Sequence, residues 1–257
     1  MQPTQRMKFF IGFLFLSLVT AQFASAQIVN IEKERLRNQD SARFVGKIAA
    51  TAQLIENKGL SIFTDVNPHI QWKKNRHLIL LIGQWEYLSA LSNTVNHGGY
   101  AHLRYNYRLK PLLKWEFFTQ IQYNRVWNMP WRYLAGTGPR LKCIDREAMQ
   151  VYLGPLYLFE WQRSQLDEID RYMHRLSAYM SWNTHWKSLL RFAGTIYYQP
   201  RLNVWTDYRI SGQTELQISM NKHLSLEQKT TWIFDETGFI GIPHRNYRMS
   251  LGFSYRF

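Results

Sequence analysis

The chain has 257 residues, a formal net charge of +14, 46% hydrophobic and 16% aromatic residues, and one cysteine. This length fits one large domain or two small ones, and a single cysteine excludes an intramolecular disulfide. The aromatic content excludes long disordered tracts. A mean hydropathy of −0.37, with only one long apolar stretch, excludes a bundle of membrane helices.

The amino terminus has the pattern of an export signal. Arg6 and Lys8 precede an apolar run over residues 9–19, and small residues follow at positions 24–26. This arrangement predicts a secretory signal peptide over residues 1–26, cleaved before Gln27. The apolar run is too short to span a bilayer, and a Gln at position 27 disfavours a lipoprotein anchor. The polar residues 27–41 are expected to form a short periplasmic lead-in.

From residue 42 onward, apolar side chains recur at every second position, which is the period of a β-strand. The last strand shows the pattern best, with apolar side chains at Met249, Leu251, Phe253, Tyr255 and Phe257. The alternation predicts twelve strands, near residues 42–57, 59–73, 76–90, 98–109, 113–127, 131–143, 147–162, 171–184, 187–199, 206–221, 223–235 and 244–257.

The connections between these strands alternate in length. The even-numbered ones are predicted to be tight, whereas most odd-numbered ones are longer, at Leu91–His97, Arg163–Asp170, Pro200–Trp205 and Glu236–Pro243. Outer-membrane barrels have short periplasmic turns and longer external loops, and an even strand count places both termini in the periplasm. The predicted fold is therefore all-β: a closed antiparallel transmembrane β-barrel of about 12 strands in an up-and-down meander, over residues 42–257.

The tryptophans are expected to form two belts at the membrane boundaries. Trp72, Trp115, Trp182 and Trp186 fall at periplasmic strand ends, and Trp85, Trp127, Trp131, Trp161, Trp205 and Trp232 fall toward external ends. The aromatic ending formed by Phe253, Tyr255 and Phe257 resembles the carboxyl-terminal signal read by the barrel-assembly machinery. A soluble periplasmic sandwich or lipocalin-like barrel is the alternative, although it would have to turn polar residues outward.

Three consecutive strands carry a resemblance to a known family: His102–Tyr107 (HLRYNY), Trp115–Tyr123 (WEFFTQIQY) and Arg132–Arg140 (RYLAGTGPR), where Pro139 departs from a simple strand. This stretch resembles the "domain of unknown function 481" family, whose members are described as salt-induced outer-membrane proteins. The segment Asn30–Arg37 is similar to members from Bacteroidetes-type envelopes. The resemblance implies an outer-membrane barrel of a Gram-negative envelope and implies no reaction.

Charges of both signs fall on the face predicted to line the lumen. They are Glu86, Arg104, Glu116, Arg140, Glu160, Arg175, Arg191, Arg209, Glu215, Glu227 and Arg248. Because charges inside a barrel must be paired or hydrated, a structural ion-pair network that fills a narrow lumen is the favoured interpretation. The alternative is a selectivity lining for small anionic solutes, which would make the chain a narrow diffusion channel.

Other chemical signals are weak. His223, Ser225 and Glu227 have the spacing of an outer-membrane lipid-modifying enzyme, but they fall at a predicted periplasmic turn, and we predict no catalytic residue. Asp167, Glu168 and Asp170 lack the spacing of a calcium loop, and no histidine pattern suggests a metal or cofactor.

The basic charge is spread over many strands, which disfavours nucleic-acid binding. We expect a monomeric outer-membrane protein with a structural or envelope role that contacts lipid and lipopolysaccharide.

Overall fold

The computed structural model describes residues 44–56, 59–90, 93–165, 168–187, 189–221, 223–238 and 243–255. The predicted signal peptide, the lead-in and Phe257 lie outside these residues. Twelve strands are present: β1 Phe44–Glu56, β2 Leu60–Lys74, β3 His77–Ala90, β4 Asn93–Lys110, β5 Leu113–Asn124, β6 Met129–Arg146, β7 Met149–Arg163, β8 Asp170–Trp186, β9 Leu190–Arg201, β10 Val204–Ser219, β11 Leu224–Asp235 and β12 Arg245–Tyr255.

Each strand pairs antiparallel with the next one along the chain, so the strand order in the sheet is the order in the sequence. The predicted twelve antiparallel strands in an up-and-down meander are confirmed. In the part of the chain that the structure describes, no helix is long and apolar enough to span a membrane.

The even-numbered connections lie at one end of the sheet, which we call the turn end, and the odd-numbered ones lie at the other, the loop end. At the turn end, residues 75–76, 111–112 and 147–148 suffice to join successive strands. At the loop end, two of the predicted loops were wrong. Most of Leu91–His97 belongs to β4, where polar residues such as the buried Asn96 make the strand resemble a loop. Pro200–Trp205 is strand except for residues 202–203.

The two faces of the sheet differ in polarity. On β5, for example, Glu116 and Gln122 are buried on the inner face, whereas Trp115 and Phe117 are exposed on the outer face. Among the described residues, nine hydrophobic side chains are buried against 26 polar or charged ones, and 36 large hydrophobic side chains are exposed. A water-soluble domain shows the reverse distribution, because burial of apolar surface is what stabilises it in water.

The sheet curls so that its inner face encloses a space that we call the lumen. On β12, Arg248 places Nη2 3.4 Å from Oε1 of Glu86 on β3, although 162 residues separate them. Strands β1 and β12 are the two edges of the sheet, and within the described residues no pairing joins them.

Candidate functional site

Four side chains from four different strands meet in the turn-end half of the lumen. This group, the Glu116 cluster, consists of Arg104, Glu116, Arg140 and Tyr179, from β4, β5, β6 and β8. The Glu116 carboxylate is 0% exposed. It accepts from Arg104 Nη1 at 3.0 Å and from Tyr179 Oη at 2.8 Å, and Arg140 Nη1 lies 3.7 Å away. Two guanidinium groups and a hydroxyl therefore offset the cost of burying one carboxylate.

Tyr179 spans the lumen because the strand beside it has no side chain in the way. Gly154 on β7 pairs with Tyr179, and a Cβ atom at Gly154 would lie 2.2 Å from Cε1 of the tyrosine ring. The ring therefore lies across the Gly154 backbone, and its hydroxyl reaches Glu116 on β5. The same hydroxyl accepts a hydrogen bond from Arg140 Nη1 at 3.1 Å. A glycine at this position is thus a requirement of the cluster rather than of the backbone.

A second group, the Glu160 cluster, occupies the loop-end half. It contains Glu160 from β7 and three arginines: Arg132 from β6, Arg175 from β8 and Arg209 from β10. Glu160 is also 0% exposed. Its Oε1 lies 2.5 Å from Arg132 Nη2 and 3.5 Å from Arg209 Nη1, and its Oε2 accepts from Arg175 Nε at 3.1 Å. Three guanidinium groups converge on one carboxylate.

Two further carboxylates, those of Asp207 and Asp235, form ion pairs with arginines of the Glu160 cluster. Arg175 Nη2 donates to Asp207 Oδ1 at 2.8 Å, and Arg209 Nη2 lies 2.7 Å from Asp235 Oδ2. Thr237 Oγ1 also donates to Asp207 Oδ1 at 2.8 Å, which links the β11–β12 loop to the cluster. The arginines are thereby held in fixed orientations, as planar guanidinium groups with several partners are.

The remaining predicted lumen residues lie outside the two clusters. Glu86 is buried and contacts Arg248. Glu215 accepts from Gln213 Nε2 at 3.1 Å. Arg191 and Glu227 lie near the turn end and are exposed, and Glu227 Oε1 accepts from Ser254 Oγ at 2.8 Å. The structure therefore brings six of the predicted charges into two buried clusters and two more, Glu86 and Arg248, into a separate pair.

A lid covers the lumen at the loop end. Trp127, expected in the outer belt, is instead buried against Met129 and Ile233, the last of which belongs to β11 on the far side of the lumen. The backbone at Asn128 has a φ of 50°, which asparagine tolerates and which lets the loop turn inward. Gln165 N donates to Asn128 O at 2.9 Å, so the β7–β8 loop supports the lid.

Aromatic rings form a nearly continuous band on the outer face toward the loop end. Ring contacts 4.8–6.4 Å between centroids run through Trp85, Tyr87, His97, Tyr123, Trp131, Tyr133 and Trp161. Toward the turn end, the exposed Trp72, Trp115 and Trp186 lie on the same face, and Trp115 Nε1 donates to Thr137 Oγ1 at 2.8 Å. Two belts of amphipathic rings flank an apolar zone, as at the two water boundaries of a membrane.

The residues of the weaker sequence motifs do not form the sites that those motifs would suggest. His223 stacks on Tyr255 with centroids 5.9 Å apart, while the Glu227 carboxylate bonds to Ser254. Asp167 lies outside the described residues, and Asp170 pairs with Arg163 in the β7–β8 register. Among the residues the structure describes, no group of three or more histidine, cysteine or acidic side chains could hold a metal ion. Cys143 is exposed.

Sequence reasoning missed several members of the clusters. Arg132 has the same parity along β6 as Arg140, and Asp207 the same parity along β10 as Arg209, so period 2 alone could have found both. Tyr179 shares its parity along β8 with Arg175, so period 2 could have placed it on the inner face as well. Trp127 carried no such signal, because it lies in the loop between β5 and β6.

The structure defines a curled, twelve-stranded antiparallel sheet with a charged interior and an apolar exterior. The chain belongs to the family described as "Protein of unknown function, DUF481", whose model matches residues 56–257, so the resemblance seen in the sequence is confirmed. No curated protein matches the chain.

Solved structures with a similar course of the chain include porins. A NanC porin is 13% identical, with a TM-score of 0.49, and the match covers 84% of this chain and all of the porin. A KdgM porin is 10% identical, with a TM-score of 0.44 and coverage of 83% and 99%. A bacterial polysaccharide outer membrane secretin is 11% identical, with a TM-score of 0.41 and coverage of 83% and 91%.

Proposed function

We propose that this chain is an exported outer-membrane β-barrel with a sealed lumen, whose role in the envelope is structural. The observation that carries this proposal is the pair of fully buried carboxylates, Glu116 and Glu160, each tied to arginines from several strands. Such clusters occupy the path that a solute would take.

The distribution of polarity supports the membrane part of the proposal. An apolar outer face bounded by aromatic belts fits lipid, which offers no hydrogen bonds to a protein surface. Lipid also requires every backbone group to be satisfied, so β1 and β12 would pair with each other in the membrane and close the barrel. The predicted signal peptide supports export, and the belts provide the contacts for lipid and lipopolysaccharide. Insertion would depend on the barrel-assembly machinery.

Three layers seal the lumen in this proposal. From the turn end they are the Glu116 cluster, the Glu160 cluster and the Trp127 lid. The space between the two clusters is a cavity of about 80 Å³. A water molecule has a share of about 30 Å³ in the liquid, so this cavity holds only a few waters and is too small for a hydrated solute to pass.

The membrane part is tested by fractionation and by gel migration of unheated and boiled samples in detergent. We expect the protein in the outer-membrane fraction, with a shift in mobility on boiling, because a barrel stays folded in detergent until heated. A soluble periplasmic protein without a heat shift would overturn the proposal. Cross-linking in the membrane fraction would check the expected monomer.

The sealed lumen is tested by single-channel recording in planar bilayers at 1 M potassium chloride. We expect no unitary current from the wild type. The triple variant Glu116→Ala, Glu160→Ala, Trp127→Ala removes the buried carboxylate of each cluster and the lid above them, and we expect current steps from it. Steady unitary current from the wild type would refute the sealed lumen and establish the narrow diffusion channel instead.

A further inference from the structure

The cavity between the two clusters has a marked chemical bias. Its wall is formed by side chains from β4 to β11, and three of these are arginines: Arg104, Arg132 and Arg209. No aspartate or glutamate is among the described residues that line it. Apolar side chains such as Leu134 and Leu156 share the wall with amide and hydroxyl side chains such as Gln120, and the space that the arginines face is largely buried. Electrostatic attraction is strong in such a setting.

The arginines retain unused donor capacity toward the cavity. Arg132 is 7% exposed, its guanidinium contacts Glu160 through Nη2, and its buried Nε has no hydrogen-bond partner among the described residues. Arg104 uses Nη1 for Glu116 and Nε for His102 Nε2 at 3.4 Å. Each guanidinium carries five N–H donors, and the buried Nε of Arg132 is one that no acceptor among the described residues satisfies. A buried donor without an acceptor is costly.

We propose that the cavity binds one small monovalent anion of halide or formate size, held by Arg132 and Arg104. The inference rests on the proposed sealed barrel, because an open lumen would let water compete for the same donors. The cavity of about 80 Å³ has room for one such ion with a water. An anion supplies the acceptor that Arg132 Nε lacks, and it balances the excess of two arginines over one carboxylate in the Glu116 cluster.

The first test locates the ion directly. Crystals of the refolded protein are grown in sodium bromide, and anomalous diffraction at the bromine edge shows where bromide is ordered. We expect a peak within hydrogen-bond distance of Arg132. Peaks confined to the outer surface would overturn the proposal, since they would show adventitious binding only.

The second test measures stabilisation in detergent at constant sodium, with bromide or gluconate as the anion. Gluconate is too large for the cavity. We expect bromide to raise the unfolding midpoint of the wild type by about 2–4 °C relative to gluconate, the effect of a ligand at a few times its dissociation constant. The shift should vanish in Arg132→Gln and remain in Arg163→Gln, which alters an exposed arginine at the loop end.

A third variant guards against misfolding of Arg132→Gln. Ser211→Leu fills the cavity from β10 and leaves all the arginines in place, so it should also lose the bromide shift. Equal shifts in every variant would indicate a general salt effect and overturn the proposal. Failure of the proposed barrel itself would be distinct, because it would abolish the mobility shift on boiling in the wild type.

Discussion

Gly154 offers a sensitive test of the lumen network, because alanine there adds one methyl group against Tyr179. The new Cβ would lie 2.2 Å from Cε1 and 2.8 Å from Oη of the tyrosine. Carbon atoms in contact prefer a separation of about 3.5–4.0 Å, so the ring must move by about 1 Å or more. A shift of that size breaks the hydrogen bonds at 2.8 Å to Glu116 and at 3.1 Å from Arg140.

The expected cost follows from those two bonds. A hydrogen bond to a charged group contributes about 1.5–3 kcal/mol to the free energy of unfolding. Replacing a strand glycine by alanine raises that free energy by about 0.5–1 kcal/mol, because glycine loses more conformational entropy on folding. Loss of both bonds in Gly154→Ala should therefore lower the free energy of unfolding by about 2–5 kcal/mol. The assay is urea unfolding of the detergent-refolded protein, followed by tryptophan fluorescence.

Gly252→Ala is the matched control, since a Cβ at Gly252 on β12 has nothing within 4 Å. It should change the stability by at most about 1 kcal/mol, in the stabilising direction. Tyr179→Phe separates the hydroxyl from the ring. In that background Gly154→Ala should cost much less, because no hydrogen bonds hold the ring in place. Equal costs in both backgrounds, or equal stability of the Gly154 and Gly252 variants, would refute the reasoning.

Three further predictions use the same assay. Arg175→Ala should cost about 3–5 kcal/mol because it leaves Glu160 without one of its guanidinium partners, whereas Arg163→Ala on the exposed rim should cost under about 0.5 kcal/mol. Leu103 and Leu109 are both exposed on β4, but only Leu103 lies deep in the apolar zone. Leu103→Arg should therefore lower the free energy of unfolding by about 2–4 kcal/mol, and Leu109→Arg by about 0–1 kcal/mol. Equal losses of stability would argue against a membrane. Trp127→Ala should cost about 3–5 kcal/mol, and a cost below about 1 kcal/mol would contradict the buried lid.

The sequence was sufficient to predict the strands and their order, because a period of two survives even where the inner face is polar. It failed at the loop-end start of β4, where Asn93 and Asn96 suggest a loop, although both belong to the strand and Asn96 is buried. Inward charges such as Glu116 and Arg140 could be assigned from parity. Their partners across the lumen could not, because contact between β5 and β8 depends on the curvature of the sheet rather than on any local pattern.

The contacts inside the lumen join residues that are much farther apart in the sequence than the residues that pair between adjacent strands. Each hairpin joins residues that are neighbours along the chain, whereas Tyr179 meets Glu116 across 63 residues and Arg248 meets Glu86 across 162. Contacts of large sequence separation form late, because loop-closure entropy opposes them until the intervening chain is ordered. The charged interior is therefore expected to lose its water as a final step, only after the carboxyl-terminal strand has joined the sheet.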